Sequence, residues 1–278
     1  MNIKKTIIFL LFIAIYFCLF AKGSGLYLKI TGGANFLNSG DFKELIKNNE
    51  IYYSTRNDES AQTNIYTSKH PFFWGFVGEM GYDFGKIAIG IETGYIERTF
   101  TVHMEPAETY SGPYIQTFSS IPVLLNFHYK MVNSAAMNAY VTGGLGIYLG
   151  KFISKYNLEY LDSPDEYINF HLKSTGNSPG FHVGVTLDYS IAKHLALVLE
   201  TRYRLVNFKN MSGKATMESS LYGFGYTDEG DLYYIVRKSN QAGQFYVGTD
   251  YDTSPYDIKE AELNLNGLAL AIGFKVRL

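Results

Sequence analysis

One pattern constrains this chain more than any other. Bulky apolar side chains alternate with a set rich in glycine, alanine and charge, and the alternation recurs eight times. A period of two belongs to the β-strand, whose successive side chains point to opposite faces. The stretches are 26–36, 72–84, 86–100, 116–130, 137–151, 180–189, 195–206 and 262–278. In the second, Trp74, Phe76, Met80 and Tyr82 oppose Gly75, Glu79, Gly81 and Asp83. In the seventh, Leu197, Leu199, Tyr203 and Leu205 oppose Ala196, Glu200, Arg202 and Arg204.

A soluble sandwich turns its greasy face inward and its polar face to water. Here the polar face is too small for a surface, because glycines and alanines sit among its charges. A narrow barrel accounts for this: small residues leave room for a few long polar groups along a cramped axis, and the aliphatic face meets hydrocarbon. The connections agree. Three links are short, near Phe84 and Gly85, near Asn133 and Ser134, and at 190–193. The other four, 37–71, 101–115, 152–179 and 207–261, are long. Long and short links alternate, as in a barrel with short periplasmic turns and long outer loops. A two-residue turn pairing Asp83 with Lys86 keeps both on one face. The expected fold is therefore all-β, a single eight-stranded antiparallel up-and-down transmembrane β-barrel over 24–278.

Aromatics make up 16% of the chain, and their placement matters. Tyr82, Tyr129, Tyr189 and Phe274 fall on the greasy face near the short turns, and Trp74, Tyr95, Phe181 and Tyr203 towards the long loops. Trp74 to Tyr82 is one span between the two sets, roughly 20 Å of membrane height on a tilted strand. These eight are the expected membrane-interface aromatics. Pro122 lies inside the fourth stretch and lacks a ladder donor, which predicts a bulge there.

The first residues read as a targeting segment. Lys4 and Lys5 precede an apolar run over 6–20, and Ala21 and Gly23 form a small-x-small site. A cleaved signal peptide over 1–23 is expected; it carries Cys18, the single cysteine, so the remainder has no thiol. Phe17 before Cys18 argues against a lipid anchor. The net charge of −2 gives no basic surplus for nucleic acid.

Three segments resemble the small outer-membrane β-barrel family of the OmpA/OmpX kind. They are 121–129 (Ile-Pro-Val-Leu-Leu-Asn-Phe-His-Tyr), 139–148 (Ala-Tyr-Val-Thr-Gly-Gly-Leu-Gly-Ile-Tyr), and 184–189 running into 195–203. The resemblance covers the whole chain after the leader. It implies a bacterial outer-membrane location, outer-membrane lipid around the barrel, and insertion by the outer-membrane assembly machinery, which reads the last strand. Family members usually end in an aromatic residue; here Phe274 lies four positions before Leu278. No periplasmic domain is expected after that strand.

The candidate site is the polar network in the lumen: Glu79, Glu92, Glu200, Arg202, Arg204, His128 and His182, with Lys275 and Arg277 near the periplasmic mouth. An eight-stranded barrel is just wide enough to be filled by side chains, so these charges should pair and plug it. The sharper reading is a gate for a narrow pore, a channel for small or apolar solutes.

Gly143, Gly144 and Gly146 mimic part of a nucleotide loop but lie within a strand, with no helix to open. The histidines lack metal-ligand spacing, and Asp250, Asp252 and Asp257 lack the rest of a calcium loop. No catalytic grouping, cofactor or metal site emerges, although a lipid-modifying enzyme with a site assembled from separated loops stays open. So does a soluble, lipocalin-like carrier. In the last long connection, 231–236 and 244–248 read as an extra hairpin. With Tyr222, Phe224 and Tyr226 it is the expected contact surface for an extracellular ligand or protein.

Overall fold

A computed structural model describes residues 25–55, 65–67, 73–104, 110–160, 166–220, 224–237, 243–249 and 256–278. The expected signal peptide, Tyr222, Asp250 and Asp252 lie outside the described residues. In order, the elements are β1 (Leu26–Asn38), α1 (Asp41–Thr55), β2 (Ile65–Thr67), β3 (Phe73–Asp83), β4 (Ile87–Met104) and β5 (Tyr110–Asn133). Then come β6 (Met137–Tyr160), β7 (Tyr167–Ala192), β8 (Leu195–Phe208), β9 (Ser212–Ser219), β10 (Phe224–Arg237), β11 (Gly243–Gly248), β12 (Tyr256–Glu260), β13 (Leu263–Asn264) and β14 (Asn266–Arg277). The fold is almost entirely antiparallel β.

β1 pairs with β3, β3 with β4, β4 with β5, β5 with β6, β6 with β7, β7 with β8, β8 with β14, and β14 with β1. Following partner to partner therefore leads back to β1. The remaining strands attach at the end with the long connections: β2 beside β4, β9 beside β7, then β10 and β11, with β12 beside β10 and β13 beside β8.

The expected tight turn after Asp83 sits one residue later than the sequence suggested, with Gly85 and Lys86 at its tip and the Phe84 N–H donating to the Ile87 carbonyl at 2.8 Å. Asp83 pairs with Ala88, not Lys86, a shift of two that keeps every side chain on its face. Gly85 takes φ +100° in this turn, and its N–H donates to Asp83 Oδ1 at 2.8 Å. Pro122 forms no bulge. It pairs with Tyr148 of β6 in unbroken register. On its β4 side the ladder skips from Thr93–Val123 to Ile96–Ser120 without gaining a residue. The register shift falls instead between Lys130 and Val132, beside the short turn.

The long connections differ from loops. β5, β6 and β7 run 24, 24 and 26 residues, far more than the roughly 10 that cross a bilayer as tilted strand. Much of 101–115 and of 152–179 is strand, and the β6–β7 ladder holds from Met137–Tyr189 to Glu159–Tyr167. The inward alternation continues there, with Phe152, Ser154, Ile168 and Leu172 buried, while the outward residues change from aliphatic to Lys151, Lys155, His171 and Lys173. Within 207–261 the expected hairpin forms, Asp231–Gly248 to Val236–Gly243.

Helix α1 lies within 37–71, where a loop was expected. Phe42 and Leu45 give it one apolar face, both fully buried. They join Phe73, Phe100, Phe118, Phe152 and Phe208 from the inner face of the strands, and Phe245 and Val247 from β11. The Phe42 ring lies 6.5 Å from that of Phe118 and 6.1 Å from that of Phe152. At the start of α1, Gly40 takes φ +60° and the Asp41 carboxylate accepts the Glu262 N–H at 2.7 Å. Lys259 of β12 bridges Asp41 and Glu44 at 2.7 and 3.4 Å. No helix among the described residues is long and apolar enough to cross a membrane.

Candidate functional site

The inner face of the strand ring carries a column of charges. Alternation places Glu79, Glu92, Glu200, Arg202, Arg204 and Lys275 inward on β3, β4, β8 and β14, and all six are buried. Four carboxylates, Glu79, Glu92, Glu200 and Asp188, face four cations, Lys29, Arg202, Arg204 and Lys275. The charge balances, which a dry interior requires.

Arg202 reaches Glu92 through two nitrogens at 2.5 and 2.9 Å, and also contacts Glu200. Lys29 sits between Glu79 and Glu200 at 2.9 and 3.0 Å. Glu79 further accepts the Tyr27 hydroxyl at 2.5 Å and the Asn126 amide at 2.7 Å, and lies 2.8 Å from His128 Nε2. Asn126 also donates to Glu92 at 2.9 Å, joining the two clusters. Towards the short turns, Lys275 donates to Asp188 at 3.0 Å, between the rings of Tyr27 and Tyr140 at 4.2 and 4.8 Å. Towards the long connections, Arg204 donates to Asn35 at 3.1 Å and lies over the Tyr148 ring.

Glycine makes the space for these groups. A Cβ on Gly81 would stand 2.4 Å from the Tyr27 hydroxyl, and one on Gly90 2.7 Å from a Glu79 oxygen. The gap between β1, β3 and the Glu200–Arg204 segment holds only about 20 Å³, the room of a single water. Beyond it, the apolar cluster with α1 fills the axis. The other end opens into a vestibule of about 470 Å³ lined by Asp83, Lys130, Lys275 and Arg277.

His128 joins the Glu79 cluster. His182 is buried against Gly144, outside the ion pairs. Arg277 is half-buried at the vestibule. Sequence reading left out Lys29, Tyr27, Asn126 and Asp188, although each lies on the inward side of its strand; its signal was the alternation itself. Among the described residues no three His, Cys, Asp or Glu gather as a metal site.

The opposite face is greasy and uncovered. Leu199 (48% exposed) and Ile272 (55%) alternate along their strands with buried Glu200 and Gly273, and Ile89 is likewise exposed. Trp74, Tyr82, Tyr129, Phe181, Tyr189, Tyr203 and Phe274 are exposed on this face. Tyr95 is half-buried, its ring 6.2 Å from that of Phe76 and its hydroxyl on Glu97.

No protein-family model and no curated protein sequence matches this chain. Among solved structures, it is similar to a major outer membrane protein from Thermus thermophilus, at 12% identity and a TM-score of 0.46, over 91% of this chain and 99% of that one. Neisserial surface protein A aligns at 10% identity and a TM-score of 0.31, over 92% and 98%. The outer membrane protease OmpT of Escherichia coli aligns at 10% and 0.32, over 92% and 94%. At such low superposition scores the likenesses decide nothing, and the fold rests on the strand pairings themselves.

Proposed function

We propose that this chain is a bacterial outer-membrane protein whose eight mutually paired strands, β1, β3 to β8 and β14, form an up-and-down transmembrane barrel. Its lumen is plugged, and its role is structural: a rigid mount for a β-rich outer end where an extracellular ligand or protein binds. One observation carries this reading. The axis is filled twice over, by a charge-balanced network around Glu79, Glu92 and Arg202 and by the apolar cluster around Phe42 and Phe118. A channel needs a continuous wet path, and a barrel this narrow has none once its side chains interlock. The exposed aliphatic face supports hydrocarbon as its surroundings. The expected leader and the assembly machinery belong to the same reading.

The test is conductance in planar bilayers with the refolded protein. The bare-lipid baseline is expected; stepwise openings would replace the plug with a pore.

A further inference from the structure

We infer that the outward face of β6, β7 and β9, just beyond the apolar band, holds phosphate-bearing lipid headgroups of the outer leaflet through Lys151, Lys155, Lys173 and Lys214. This rests on the transmembrane reading above.

The register brings the four lysines together. Lys173 of β7 pairs with Lys214 of β9 on one side and with Ile153 of β6 on the other. Lys151 and Lys155 flank Ile153 on the same outward face, so both are diagonal neighbours of Lys173, at about 7–8 Å by strand geometry. Like charges placed this way repel unless an anion joins them. Lys214 has a carboxylate partner, Glu229 at 2.8 Å. Among the described residues no carboxylate pairs with Lys151, Lys155 or Lys173. Of the nearby acids, Glu97 of β4 is engaged by Tyr95, while Glu159 and Glu218 lie further out along β6 and β9.

Depth selects the occupant. Going outward on the exposed face of β6, the side chains read Leu145, Ile147, Leu149, Lys151, Ile153, Lys155. Lys151 follows the last exposed leucine by two residues, about 5 Å of height on a tilted strand. That puts Lys151 in the headgroup layer, where cations meet lipid phosphates, with Lys173 and its partner Lys214 about 5 Å and Lys155 about 10 Å further out on the same face. His171, paired with Lys155, reports the same crowding: burial and then Lys155, Lys173 and Lys151 hold its imidazole below the ordinary pKa.

The experiment is native mass spectrometry of the detergent-solubilised full chain with bis-phosphorylated lipid A, dephosphorylated lipid A, or the first lipid plus inorganic phosphate. The wild type should retain the phosphorylated lipid and release the dephosphorylated one. K151Q/K155Q/K173Q/K214Q should bind about a hundredfold more weakly, as three unpaired lysines at an anionic surface imply. The corresponding four-arginine variant should keep binding, and K86Q/K193Q, at the short turns, should match the wild type. Equal retention of both lipids, or unchanged binding by the glutamine variant, would overturn the inference. Displacement by millimolar inorganic phosphate would overturn it too, leaving a site for the free anion. A heat-dependent gel shift reports folding of each variant. A wild type with no shift and no membrane fraction would end the transmembrane reading, whereas a folded wild type without headgroup preference would end this inference alone.

Discussion

Arg202 of β8 meets Glu92 of β4 through a two-nitrogen contact at 2.5 and 2.9 Å, although the two strands are not neighbours in the sheet. The pair therefore spans the axis and ties opposite walls together. Arg202→Met leaves Glu92 and Glu200 without their guanidinium and should cost about 3–5 kcal/mol, as for a broken buried pair. Removing Glu92 as well, in E92Q/R202M, should recover part of that loss, because the two residues act as one unit. Urea unfolding of the refolded protein, followed by the heat-dependent gel shift, measures both. A single variant with the wild-type midpoint would remove the network from the list of stabilising features.

The inner wall is small where the network is large. A Cβ on Gly144 would stand 2.2 Å from Asn126 Oδ1 and 2.4 Å from His182 Cε1. Gly144→Ala should therefore destabilise by about 1–3 kcal/mol, the usual cost of overpacking. Gly143 faces outward, with nothing nearer than 3.8 Å to an added Cβ, so Gly143→Ala should be close to neutral. Comparing the two unfolding midpoints checks inward against outward at adjacent positions; equal effects would contradict the facing.

The paired strands were legible because two faces of such different chemistry leave a period of two in the sequence, as in Glu200, Arg202 and Arg204 against Leu199, Tyr203 and Leu205. Partner choice was not legible. Lys29 and Asp188 meet groups 171 and 87 residues away, on strands that are not their ladder neighbours, and only the closed ring brings them there. The outer half was misread for a different reason. Beyond Leu149 the outward residues of β6 are mostly polar, Lys151, Lys155, Asn157 and Glu159 around a single Ile153, so the contrast between faces fades although Phe152, Ser154 and Leu172 still point inward. Helix α1 had left a short trace, an acidic start at Asp41 and Glu44 with Phe42, Leu45 and Ile46 at helical spacing.

Two separate blocks fill the axis, and a variant can loosen one without the other. Phe42→Ala removes a fully buried ring from between Phe118 and Phe152 and should cost about 3–5 kcal/mol. The loss should be local to α1, read as faster hydrogen exchange over 41–48 with the β3 and β4 ladder unchanged. Bilayer conductance should stay at baseline, since the Glu79–Arg202 network does not touch Phe42. Openings in this variant alone would make α1 the only closure.

His171 gives a pH signature for the lysine face. Burial and the ammonium groups of Lys155, Lys173 and Lys151 disfavour its charged form, so its folded-state pKa lies below the ordinary histidine value of about 6.5. The sign follows from linkage: the unfolded chain takes the proton first, so the outer hairpin is at full stability above that value and loses stability as pH falls through the lowered one. The imidazole is largely exposed, which keeps the effect on unfolding small, but its titration is readable by NMR. A midpoint below the ordinary value is expected in detergent alone. Bis-phosphorylated lipid A should raise it, because a phosphate among the three lysines reverses the local field. K151Q/K155Q/K173Q should raise it without lipid. A midpoint that starts at the ordinary value and moves with neither change would mean that the three ammonium groups do not converge on His171.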